Sequence, residues 1–242
     1  MARMPNPFGS NNVRPFDFAS SEPANPAVVR FFNSVYAWMA VGLTVTALVA
    51  LGVAQTDLWQ TFARMWWLLL IVEVGLVMVI AGAVNKINAA AATGLFLLYS
   101  ALNGLTLSVI FIVFTHASLV ACFVVSAGMF GTMSVYGMVT KRDLTRLGSL
   151  LRMALIGLVI AMLVSMFYHP SGLVVAINFI GVLVFVGLTA YDTQKLKYIA
   201  NQTIGDERLA SRMTVVGSLV LYLDFINLFL FLLQFMGDRR RS

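Results

Sequence analysis

Charge is what this chain has least of. Of its 242 residues, 11% are Asp, Glu, Lys or Arg and 60% are hydrophobic, with a mean hydropathy of +0.89. Soluble domains carry about 25% charged residues and 45–50% apolar ones. A water-soluble fold of this length could not cover its surface with so few charges, which excludes a secreted domain, a cytosolic enzyme and a disordered chain. An integral membrane protein remains. Cysteine is nearly missing too: Cys122 stands alone in an apolar run, so no intrachain disulfide forms. The two histidines, His116 and His169, fall in short loops between apolar runs and read as interfacial polar residues, so there is no Cys/His cluster for zinc. Proline is scarce beyond the start, five of the six lying in the first 30 residues. The net charge of +6 fits basic loops against anionic lipid and gives no reason to invoke nucleic acid.

Long apolar runs are what the chain does have. A membrane-spanning helix needs about 20 predominantly apolar residues. Seven runs qualify: 35–55, 65–84, 91–113, 118–139, 150–168, 172–191 and 214–236. Residues 1–30 are rich in Pro, Asn, Ser and Phe and lack the basic-then-apolar order of a cleavable signal peptide. They read as a disordered polar arm ahead of a single transmembrane domain, 31–242, whose first span acts as an uncleaved anchor. Counted by loop, twelve of the sixteen Lys and Arg residues fall on the side of the N-terminus, among them Arg30, Lys86, Arg142, Arg152, Lys195 and Arg208. The N-terminus is therefore expected in the cytoplasm and, with seven spans, the C-terminus outside. Gly128, Gly131, Ser134 and Gly137 recur every three residues, a small-residue stripe that lets helix backbones approach closely.

Three acids interrupt the apolar runs: Glu73, Asp192 and Asp224. An ionisable side chain at mid-membrane costs about 2.5–3.5 kcal/mol on insertion scales, so its presence points to function. At 1.5 Å per residue, Glu73 lies about 16 Å and Asp224 about 15 Å from the cytoplasmic ends of their spans. Asp192 ends the apolar part of the sixth, whose continuation TQKLKYIA is compatible with a helix. The three are expected to line one path from the midplane to the cytoplasm, with no buried cation matched to them. Asn227 follows Asp224 on the same helical face. Asn178 shares a stripe with Asp192, and Asn103, Thr106 and Ser108 add oxygens from the third span. Carboxylates with amide and hydroxyl oxygens suit a hard cation such as calcium, which takes 6–8 oxygen ligands. Two close carboxylates are also a proton sensor: both cannot ionise cheaply in a low dielectric, and the pair titrates as a unit.

FVGLTAYDTQKLK (185–197) and GSLVLYLDFINLFLFLLQFMG (217–237) resemble the signature of the Bax inhibitor family, as do YSALNGLTLSVIF (99–111) and AGMFGTMSVYGMVTKRDLTRLG (127–148). The resemblance runs from about residue 30 to the end and is closest to the prokaryotic members. It implies an all-α seven-helix bundle in a bacterial inner membrane, with the last helix central. It further implies a pH-sensitive calcium leak, in which Asp192 and Asp224 couple protonation to pore closure and hold calcium as permeant or bound ion, without other cofactor. Glu73 matches an acidic pore residue of the second helix. Members that carry it also have an Arg near the cytoplasmic end of that helix, where this chain offers Lys86.

Two other classes compete. Tyr191-Asp192 and Asp224 invite comparison with intramembrane aspartyl proteases, in which two aspartates activate water. That family expects Gly-x-Gly before its second Asp, where this chain has Leu221-Tyr222-Leu223, and it expects a Pro-Ala-Leu segment that is missing here. A retinal protein is excluded because 214–236 holds no Lys for a Schiff base. A non-conducting regulator that binds other membrane proteins fits the small-residue faces but gives the buried acids no task.

Overall fold

The computed structural model describes residues 25–83, 88–165, 167 and 171–240. Nearly all of them are helical, and among the described residues there is no strand, only an isolated antiparallel bridge between Phe114 and Arg239. The helices are α1 (Pro26–Ala54), α2 (Leu58–Arg64), α3 (Trp66–Ala83), α4 (Ala89–Leu107), α5 (Ile110–Val113), α6 (His116–Val139), α7 (Thr145–Ser165), α8 (Ser171–Gln202) and α9 (Glu207–Met236).

Caps explain where several of them begin. Asn25 accepts from Ala27 N at 2.9 Å and Pro26 occupies the first turn, where a missing N–H costs nothing. The first helix therefore starts inside the arm expected over 1–30. The rest of that arm, 1–24, lies outside the described residues, as do Lys86 and His169. Asn88 caps α4 through Ala91 N at 2.7 Å, Thr115 caps α6 through Ser118 N at 3.2 Å, and Asp206 caps α9 through Leu209 N at 2.9 Å.

Six helical stretches are long and apolar enough to cross a membrane, α4 and α5 counting together; the α2–α3 pair, bent by 74°, brings the number to as many as seven. Two expected straight spans are thus interrupted. The run 91–113 breaks after Leu107, where the Ser108 hydroxyl donates to Leu105 O at 2.7 Å and competes with the helical ladder. The run 65–84 meets α2 at the bend.

The core gathers on α9. In its most apolar stretch 72% of residues are buried, against 11% for α7. It packs against α8, α1, α6 and α4, with Tyr222, Leu221, Leu228 and Leu233 fully enclosed. Gly181 of α8 lies so close to α9 that a Cβ there would come within 2.5 Å of the Phe231 ring. The small-residue stripe of α6 is used in part: Gly137 lies against the Ala190 backbone and Ser134 Oγ is 3.0 Å from Thr193 Oγ1, while Gly128 and Gly131 face open space.

Both ends of the bundle are tied by hydrogen bonds. At one end Gln194 of α8 accepts from Leu144 N at 2.9 Å and donates to Arg142 O at 2.8 Å, and Lys197 Nζ donates to Met138 O at 2.8 Å, so α8 holds the α6–α7 turn. At the other end the segment after α9 lies along the α5–α6 junction. Thr115 N donates to Asp238 O (3.1 Å), Arg240 N to Val113 O (2.9 Å) and Asp238 N to Ser118 Oγ (2.9 Å).

Candidate functional site

Asp224 sits in the middle of α9, 4% exposed, and its Oδ2 is buried with no hydrogen-bond partner. The charge that acts on it comes from Asp192 of α8, which is half-buried. Asp192, on the preceding helix, is near enough to act electrostatically on Asp224. Their surroundings differ. Asp192 also feels the charges of Lys195, one turn on, and of Arg152 on α7. Both cations are exposed. The Arg152 guanidinium lies 5.5 Å over the Tyr191 ring and its Nε donates to Gly148 O at 3.3 Å, while Gly148 lies flat against the same ring. A chain of hydroxyls runs alongside, from Tyr36 to Ser134 to Thr193, the residue after Asp192.

Glu73 forms a second site. Its side chain is buried although its helix, α3, is mostly exposed, and Thr106 Oγ1 of α4 donates to Oε1 at 2.6 Å. The carboxylate acts electrostatically on Tyr99 and Tyr222. Around these tyrosines the hydrogen bonds are extensive. Thr46 directs its hydroxyl toward Ser100 O (2.8 Å) and Gly42 O (3.0 Å), so the Tyr222 hydroxyl, 2.7 Å away, is the donor to Thr46. Asn103 Nδ2 donates to the Tyr99 hydroxyl at 3.3 Å. Tyr222 and Asp224 are two positions apart on α9 and do not share a face. On α9, therefore, Tyr222, which feels Glu73, and Asp224 point to different sides of the helix.

Among the described residues none of the three candidate asparagines is hydrogen-bonded to either aspartate. Asn178 is buried about 21 Å along α8 from Asp192. Asn227 donates to Leu223 O of its own helix at 2.8 Å, and Asn103 belongs to the Glu73 site. Among the described residues no group of three or more His, Cys, Asp and Glu side chains assembles. A calcium ion between Asp192 and Asp224 would meet two carboxylates and complete its shell with water. His116 pairs with Arg240 Nη2 at 2.9 Å, away from both sites. In the α6–α7 turn, hydrogen bonds from the Thr145 side chain and backbone hold the Asp143 carboxyl below its usual range.

Tyr222, Thr46 and Arg152 are the participants that sequence reasoning passed over. Only Tyr222 left a trace: a tyrosine deep in an apolar run needs a partner for its hydroxyl.

The family model "Inhibitor of apoptosis-promoting Bax1" (Bax1-I) matches residues 28–241. "Inner membrane protein YbhL" of Escherichia coli strain K12 is 50% identical over 217 residues, which are 87% of this chain and 92% of that protein. An uncharacterized protein of Borreliella burgdorferi is 45% identical over 217 residues, covering 88% of this chain and 94% of the relative. One from Deinococcus radiodurans is 44% identical over 210 residues, covering 86% and 90%. The apolar helices and the membrane relative agree on an integral, multi-pass membrane protein. Matched over nearly all of its spanning region, the chain belongs to the Bax inhibitor family.

Proposed function

We propose that this protein is a pH-sensitive calcium leak, with no enzymatic role, whose path is gated by Asp192 and Asp224. The observation that carries the reading is Asp224 Oδ2, buried without a hydrogen-bond partner beside a second carboxylate. An unsatisfied buried polar atom costs about 1–3 kcal/mol, more when charged, and two like charges in a low dielectric repel. A shared proton relieves both penalties, and so does a cation. The α8–α9 interface thus has two electrostatic states, selected by protons or calcium. Glu73, held by a single threonine, is the second acid that a permeating cation would meet.

The same reading has seven crossings arranged around α9, with the N-terminus in the cytoplasm. Ala27 near the start of α1 and Ala89 at the start of α4 line one cavity, so a chain that leaves through α1 has to return through the bent α2–α3 pair. The share of Lys and Arg on the N-terminal side supports the orientation. A reporter fused after Ser242 is expected outside; a cytoplasmic reporter would refute seven crossings.

Calcium flux from liposomes, measured against pH for the wild type, Asp192→Asn, Asp224→Asn and the double variant, tests the gate. Each single variant is expected to flatten the pH dependence, and the double variant to add little, since coupled groups are non-additive. Single variants that keep the wild-type profile would sink the paired gate. Wild-type flux at the protein-free background would favour a non-conducting regulator of other membrane proteins, as the family's name suggests.

A further inference from the structure

The end of the bundle where α1, α4 and α9 begin and α8 finishes holds a cavity of about 1120 Å³. It is distinct from the aspartate pair and at least as roomy as small-molecule sites, which run about 300–1,000 Å³. Arg30 of α1 and Arg208 of α9 line it, together with Trp38, Thr93 and Ser211. Both arginines are exposed, and neither has a hydrogen bond or ion pair with another described residue. A guanidinium offers five donors in a rigid fork and no acceptor, a geometry matched to phosphate oxygens. Two carboxylates share the wall, Asp206 and Glu207. Asp206 is engaged, its Oδ1 accepting from Leu209 N at 2.9 Å. In the orientation proposed above, this end faces the cytoplasmic leaflet, whose anionic headgroups attract basic side chains. Trp38, about two turns after Arg30 on α1, lines the same cavity.

We propose that this cavity binds a phosphate-bearing anion, clamped between Arg30 and Arg208. Its source is either a phospholipid headgroup or a free phosphate, and the clamp links α1 to α9 at the membrane surface. The site stands independently of the calcium reading.

The test uses the full chain in uncharged detergent, with Trp59→Phe, Trp66→Phe and Trp67→Phe leaving Trp38 as the fluorescent reporter. It is titrated with dioctanoyl phosphatidylglycerol, with dioctanoylglycerol (the same chains without phosphate) and with inorganic phosphate. Phosphatidylglycerol is expected to change Trp38 emission saturably and dioctanoylglycerol is not. Arg30→Gln and Arg208→Gln should each weaken binding roughly tenfold, the worth of a charge-assisted hydrogen bond, and should leave the melting temperature unchanged because both side chains are exposed. Saturation by inorganic phosphate over the same concentration range assigns the site to a free anion; saturation by the lipid alone assigns it to a headgroup. No saturation by either phosphate ligand, equal binding of dioctanoylglycerol, or unaltered affinity in both arginine variants overturns the proposal. Native mass spectrometry of the chain with all four tryptophans gives the same comparison if the triple-Phe background does not fold.

Discussion

Helices α9 and α3 are alike on paper: each is an apolar run interrupted by one acid near its middle. In the fold they are opposites. Most of the apolar stretch of α9 is enclosed by four neighbouring helices, whereas among the described side chains of α3 only Glu73 and Ile80 are buried. Asp224 is fixed by the packing of its helix and has an oxygen with no partner. Glu73 has its partner, Thr106, but rides on a helix that packs mainly on α4 and is otherwise exposed. Hydropathy sets whether a helix enters the membrane; the neighbours it finds there set what its acid can do.

The largest expected effect is on the packed side. Gly181→Ala drives a methyl into the Phe231 ring and should destabilise the α8–α9 contact by about 1–3 kcal/mol, the usual range for overpacking. Thermal unfolding in micelles measures it; an unchanged melting temperature would mean that α9 is as loosely held as α3. Next in size, Thr106→Val removes the hydrogen bond to Glu73, worth about 0.6–1.7 kcal/mol between membrane helices. A spin label at Met78→Cys in a Cys122→Ala background should gain mobility, while one at Met236→Cys should not. Equal responses would erase the contrast. On the same site, Glu73→Gln keeps shape and is expected to lower cation flux without unfolding the protein; unchanged flux would leave Glu73 a structural residue. Smaller still, Gly75→Ala on α3 meets nothing within 4 Å and should stabilise by up to about 1 kcal/mol through helix propensity, the opposite sign to Gly181→Ala.

The smallest effect concerns the turn that leads into α7, the least buried of the six unbent spans. Because the native Asp143 carboxyl is held below its unfolded value by Thr145, its contribution is present above the unfolded value and is lost as pH falls through the native one. The melting-temperature gap between wild type and Asp143→Ala should therefore be open at neutral pH and close in acid. A gap independent of pH would remove the charge from the explanation.

The spanning stretches were legible because length and hydropathy decide them locally. The breaks were not: neither Ser108-Val109 nor Met65 has a proline or glycine to mark it. Asp192 and Asp224 stood out as candidates because so few acids enter apolar runs. The bond between Thr46 and Tyr222 joins residues 176 positions apart, and both types are ordinary in membrane helices. The charge of Arg152 acts on Asp192 from another helix, which no local pattern encodes. The candidate acids thus stood out in the sequence, while the network around Glu73 needed the fold.

The segment after α9 carries one further consequence. Where α5 gives way to α6, Val113 O and Thr115 N have bonds to Arg240 and Asp238 in place of a continuing helix, and Asp238 N is held by Ser118. Amide hydrogen exchange reads such an arrangement as one opening unit. Thr115 and, more than a hundred positions later in the chain, Asp238 and Arg240 should exchange at matched rates, because lifting the segment once exposes all three to solvent.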